Sequence, residues 1–195
     1  MTDAEARTRA WVEQVVVRLG LCPFATAPLL AGRVRFATTF ATDPDAVYRD
    51  CLGELLHLVE NNPDTVETTL VIVPHALARF DDYLDMLASL EAAIEQAGLA
   101  GEVQVASFHP DYVFEGAAAE DPANYTNRSP HPTFHLIREA GLAAALEGYP
   151  EPERIPERNA ARLRELGTDA LRSLLHELRG SHTDTADAPD RSATR

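Results

Sequence analysis

The stretch TNRSPHPTFHLIRE (126–139) sets His131 and His135 four residues apart among Asn127, Arg128, Ser129, Arg138 and Glu139. An imidazole titrates near neutrality and is the usual proton-transfer group, most effective when a carboxylate holds it. A guanidinium offers a planar fork for carboxylate or phosphate. Upstream, SFHPDY (107–112) supplies His109, Asp111 and Tyr112, and LCPFA (21–25) supplies Cys22 in a turn. A thiol near a helix terminus, with a histidine as base, can become a nucleophile.

These types suggest an enzyme acting on a small anionic metabolite. His109 and His135 would transfer protons, with Cys22 as nucleophile or wall. Arg128 and Arg138 would hold the anion, Asn127 and Ser129 would orient it, and Asp111 and Tyr112 would line the site. An alternative from another class is a non-catalytic metal-, haem- or cofactor-binding sensor module, because Cys22, His109 and His135 are soft and borderline ligands. The spacing of His131 and His135 suits two imidazoles on one metal if both lie on a helix. With no HExxH and no CxxC, no metal site and no cofactor is assigned. A third possibility is an interaction scaffold in which the polar loop is only a hydrogen-bonded cap.

The elements that must position these groups follow from the apolar periodicity. Thr2 to Glu5 reads as a capping box opening a helix that Gly20 stops. Residues 33–40 and 102–108 read as strands, and TTLVIVP (68–74) as a central strand buried on both faces. Helices are expected from Thr42–Asp45 to Asn61 and from about Arg79 to Ala97. The β-α-β-α-β order predicts one layered α/β domain over 1–180, with a small, mostly parallel sheet and extra N- and C-terminal helices. A ferredoxin-like α+β arrangement with an antiparallel strand is the alternative. Residues 109–131 lack periodicity. Helices are expected over about 132–147, starting at Pro132, and about 156–179, where Gly167 can split the second. The N–H groups at the Pro132 helix start would favour an anion. His75 ends the second strand as a structural hydrogen-bonder. From Ser181 the chain has almost no apolar residue and reads as a disordered tail.

Composition narrows the partners. The net charge of -14 argues against a nucleic-acid partner and against an anionic membrane surface. All 17 basic residues are arginine, so no Schiff-base or P-loop lysine exists. No secretory leader and no bilayer-length apolar run appear, and the only cysteines are Cys22 and Cys51, so a cytoplasmic location with reduced thiols is expected. The expected partner is a small, anionic ligand; oligomeric state is left open.

LCPFA, ETTL (67–70), ASFHPDYVF (106–114), TNRSPHPTFHLIRE and IPERN (155–159) occur in this order. Together they resemble a bacterial family catalogued as domain of unknown function 1415, over about residues 8 to 167. The family has no assigned activity, so the resemblance implies no mechanism. It implies that Cys22, His109, Asn127, Arg128, Ser129, His135 and Glu139 occupy motif positions. Where this chain has His131 the family pattern usually has an aromatic residue, which counts against an obligatory metal ligand there. Clustering would let so many polar groups satisfy one another. Cys22, His109 and the Arg128–His135 stretch are therefore expected to converge, with His109 and His135 within roughly 10 Å, the scale of one ligand pocket.

Overall fold

A computed structural model describes residues 1–180; the expected tail from Ser181 lies outside the described residues. Helix α1 (Asp3–Trp11) opens on the capping box: the Thr2 hydroxyl accepts from the Glu5 N–H, and the Glu5 carboxylate accepts from the Thr2 N–H. The helix then widens into a π-helical segment, Val12–Val17. After a turn come α2 (Thr26–Leu30), β1 (Val34–Thr38), α3 (Pro44–Glu60), β2 (Thr68–Ile72), α4 (Phe80–Gln96) and β3 (Val103–Phe108). The chain continues through a 3-10 turn at Pro122–Thr126 to β4 (Thr133–Arg138), α5 (Glu139–Leu146), α6 (Ile155–Leu166) and α7 (Thr168–Arg179). Gly167, at φ 81°, separates the last two helices, as its place in the sequence suggests.

The sheet order is β1-β2-β4-β3. Strand β1 pairs parallel with β2, while β4 runs antiparallel to both β2 and β3. The α/β class holds, and β1, β2 and β3 point the same way. The mostly parallel sheet does not hold, because β4 is inserted between β2 and β3 and makes two of the three pairings antiparallel. This strand occupies the place where the sequence reading put a helix starting at Pro132. Its residues alternate with period two. Phe134 and Leu136 join the core beneath α3 and α4, while Thr133, His135 and Ile137 face the other way. A six-residue stretch with branched Thr133 and Ile137 and aromatic Phe134 suits a pleated, buried surface better than a helix. The helix proper begins only at Glu139.

Two apolar layers sandwich the sheet. One, under α3 and α4, contains Val71, Val73, Tyr83, Leu90, Phe134 and Leu136. The other, under α1, α6 and α7, contains Trp11, Phe36, Leu70, Ile72, Leu163 and Leu175. The Tyr83 hydroxyl closes the end of the β3–β4 ladder. It donates to the Thr133 carbonyl and accepts from the Phe108 N–H, both at 2.9 Å. No helix among the described residues is long and apolar enough to cross a membrane.

Candidate functional site

Because β4 is antiparallel, it starts at the edge where β2 and β3 end. The loop 126–132, His75 and the HPDY turn therefore do meet at the carboxyl edge. What they do there is chiefly structural. The Asn127 amide donates to the Ser107 carbonyl at 3.0 Å, and its own carbonyl accepts from the His109 N–H at 3.1 Å. Arg128 lies 4.6 Å over the Tyr125 ring and donates to the carbonyls of Tyr112 at 3.0 Å and Ala119 at 2.8 Å. Ser129, fully buried, donates to the His131 carbonyl at 2.6 Å. Buried Asn124 serves both sides of the loop, accepting from the Phe114 N–H and donating to the Ala118 carbonyl. A loop without ladder or helix must find other partners for its backbone groups, and these side chains provide them. This accounts for much of the polar chemistry in the stretch.

His109 is part of the same framework. It has no exposed surface and packs 5.2 Å, ring to ring, from both Phe80 and Tyr83. Its Nδ1 accepts from the Asp111 N–H and its Nε2 donates to the Leu77 carbonyl, each at 3.0 Å. Both ring nitrogens are therefore engaged, and burial holds the ring below its ordinary pKa, in the neutral form. The partner matters, since Leu77 sits at φ 56°, a left-handed backbone unusual for leucine. Tyr112 packs on Phe80 and Phe114, and its hydroxyl accepts from Ser107.

His135 faces the opposite side of the sheet, against Phe108 at 6.2 Å between ring centroids. The two histidines thus sit in different layers, and the expected single proton-transfer pocket is not formed. The cause is the strand: the Ala106↔His135 pairing points both side chains away from the layer that receives His109. His135 Nε2 lies 2.5 Å from the Thr68 hydroxyl, which donates to the Leu136 carbonyl at 2.7 Å. The hydroxyl proton is thereby used, so Nε2 carries the imidazole hydrogen and Nδ1 is the basic nitrogen. Burial pushes the pKa of this ring down to about 4. Nor can His131 and His135 share a metal, since four residues of extended chain span about 13 Å. Among the described residues, no three His, Cys, Asp or Glu side chains are grouped to hold a metal ion.

Arg138 is at the far end of β4 from Arg128 and cannot join it on one small anion. Its guanidinium donates to the carbonyls of Val66 at 3.3 Å, Asn61 at 2.6 Å and Leu58. Cys22 lies in the turn after the π segment, and the adjacent Leu21 carbonyl accepts from the Asn159 amide of α6 at 2.7 Å. Burial pushes the Cys22 thiol up to about 11, outweighing the N–H groups of Phe24 and Ala25. Its thiolate fraction at pH 7 should then be about a hundredfold below that of the unfolded chain. Iodoacetamide should accordingly label Cys22 far faster in urea than in buffer; faster labelling in buffer than in urea would restore it as an activated thiol.

The feature most like a binding site is one the sequence reading did not assemble. An open cavity of about 350 Å³ lies between the end of the π segment and α6. Arg18, Arg158 and Arg162 line it, with Tyr149 beside them and Asn159 in its wall. None of the three arginines has an ion-pair partner among the described residues. Arg158 is held in place by its own fold. Its Nη2 donates to the carbonyls of Pro150 at 2.9 Å and Glu151 at 2.7 Å, and its guanidinium lies 5.5 Å over the Tyr149 ring. The available signals were the i, i+4 spacing of Arg158 and Arg162 and the IPERN motif that contains Arg158 and Asn159. Tertiary folding alone brings Arg18 to them.

A family model described as protein of unknown function (DUF1415) matches residues 3–173. No curated protein and no solved structure matches the chain.

Proposed function

We propose, for a chain that belongs to the DUF1415 family of proteins of unknown function, that it binds a small anionic metabolite in the arginine-lined cavity. One observation carries this reading: three arginines without carboxylate partners converge on one cavity of about 350 Å³, in a chain of net charge -14. Arg158 and Arg162 are exposed, repel each other at four-residue spacing and have no carboxylate partner among the described residues, which leaves them free to take an anionic ligand. The volume suits a small metabolite, and the anchored Arg158 is pre-organised for it. Phosphate or carboxylate groups are the matching chemistry.

The cavity lining contains no His, Cys, Asp or Glu, which favours a binding or sensing role over acid–base catalysis at that spot. The catalytic alternative rests on His135, whose Nδ1 has no hydrogen-bond partner among the described residues. Calorimetric titration with inorganic phosphate and with citrate tests the proposal. Binding should saturate, and Arg162→Gln or Arg18→Gln should weaken it at least about tenfold, one lost charge-assisted contact being worth about 1.5–3 kcal/mol. Both substitutions should leave the melting temperature nearly unchanged. Binding of neither anion, or unaltered affinity in both variants, would sink the reading.

A further inference from the structure

An edge strand offers its backbone donors and acceptors to any chain that can pair with it, and folded proteins usually cover or charge such edges. The sheet order leaves two edges, at β1 and β3. The outer side of β3 is covered. Its Val103 N–H donates to the Leu99 carbonyl, its Ser107 carbonyl accepts from the Asn127 amide, and just beyond the strand the His109 N–H donates to the Asn127 carbonyl.

The outer side of β1 has no such cover. The Arg33 carbonyl accepts from the Glu67 N–H, and the Thr39 N–H donates to the Ile72 carbonyl. Odd-numbered residues of β1 therefore turn their backbone groups to β2, and the N–H and C=O groups of Val34, Phe36 and Thr38 point outward. None of these outward groups has a hydrogen-bond partner among the described residues. The strand contains no proline, and its one charged residue, Arg35, is tied back to Glu54 at 2.6 and 2.9 Å. No free charge guards this edge.

The edge also matches itself. Antiparallel pairing about Phe36 sets Val34 opposite Thr38 and Phe36 opposite Phe36, so every outward donor meets an outward acceptor. The same register carries Phe40 of one copy to Gly32 of the other, beside Leu30. Phe40 and Leu30 are 70% and 83% exposed, and the space beside Gly32 is open. On the face of the sheet that carries Arg35, Arg33 falls opposite Thr39, whose hydroxyl donates to the Asp50 carboxylate. Asp50 is exposed and has no cation at ion-pair distance among the described residues. Arg33 of a second copy supplies the complementary charge.

We propose that two copies of this chain pair antiparallel along β1, joining their sheets into one, with Phe40 of each copy packed against Leu30 of the other. The self-matching register, the two exposed apolar residues it brings together and the Arg33–Asp50 complementarity favour a second copy over an unrelated peptide.

Sedimentation velocity on the full chain should show a species of twice the single-chain mass. Phe40→Glu changes an exposed residue, and Val34→Pro removes an outward N–H at the first position of an edge strand, where proline is tolerated. Each should weaken the dimer at least about tenfold and leave the far-UV circular dichroism unchanged. Amide hydrogen exchange reads the register. The Phe36 and Thr38 amides should be protected in the parent and exchange at least about tenfold faster in Phe40→Glu, while the Thr39 amide, bonded to Ile72, stays slow in both. Three results would each overturn the proposal. One is a chain that stays monomeric at millimolar concentration, which would leave the edge to a peptide of another protein. Another is a dimer that both variants leave intact. The third is a dimer whose Phe36 and Thr38 amides exchange as fast in the parent as in Phe40→Glu.

Discussion

Arg138→Ala should lower the melting temperature by about 10 °C, a loss of roughly 3 kcal/mol. The guanidinium gathers the carbonyls of Leu58, Asn61 and Val66, where α3 ends and the chain turns into β2. Alanine would strand these part-buried acceptors and release the end of α3 from the sheet. Arg138→Lys should recover less than half of the loss, because a point charge replaces a planar fork. Anion affinity in the folded Arg138→Ala protein should be unchanged. A melting temperature within 2 °C or so of the parent, together with lost anion binding, would return Arg138 to a ligand role.

Acidification should destabilise the protein between about pH 6.5 and 4, by up to about 3 kcal/mol from His135 alone. The unfolded chain takes a proton on this histidine as the pH falls through 6.5, whereas the folded chain resists until about 4. Between those values the unfolded state binds more protons, so stability rises with pH across the window and is lost as pH falls through it. His109 and His131, both shifted down by burial first, add in the same direction. Urea midpoints at pH 7 and pH 5 measure the effect, and His135→Gln should visibly flatten the difference. An unchanged difference in that variant would mean that the ring is solvated and ordinary.

The strands and long helices before residue 109 were legible because their periods are clean. TTLVI, apolar between breakers, is the fully buried β2, and the cap at Asp43 opens α3 as its pattern suggests. Strand β4 is not legible in the sequence, because Pro132 resembles a first helical residue and the apolar run of strand and following helix joins without a breaker. Arg138, at that junction, is the last residue of the strand and not a residue inside a helix. A helix here would set His135 on one face with Arg138 and Glu139 and aim its free N–H groups at an anion; the strand does neither. The polar loop was located correctly at the sheet edge, but residue types alone could not distinguish side chains that bind ligands from those that tie down a loop. Arg128 and His109 illustrate this, since every hydrogen bond they make goes to loop or turn backbone. Nothing local joins Arg18 to Arg158, which are 140 positions apart; only the packing of α6 against the Leu21 turn does so.

The strand made last is a middle strand of the sheet. When a ribosome has released β1, β2 and β3, the slot between β2 and β3 is still unfilled, and both carry unpaired backbone edges on that side. Strand β3 hydrogen-bonds in the sheet only to β4, so it has no ladder partner until residues 133–138 emerge. Collapse onto α3 and α4 can begin earlier, but closure of the sheet must wait for a segment some 25 residues further along the chain than Phe108. The nascent chain therefore carries, for that interval, two edges open to pairing with another copy, so this window of synthesis is the one most exposed to misassembly.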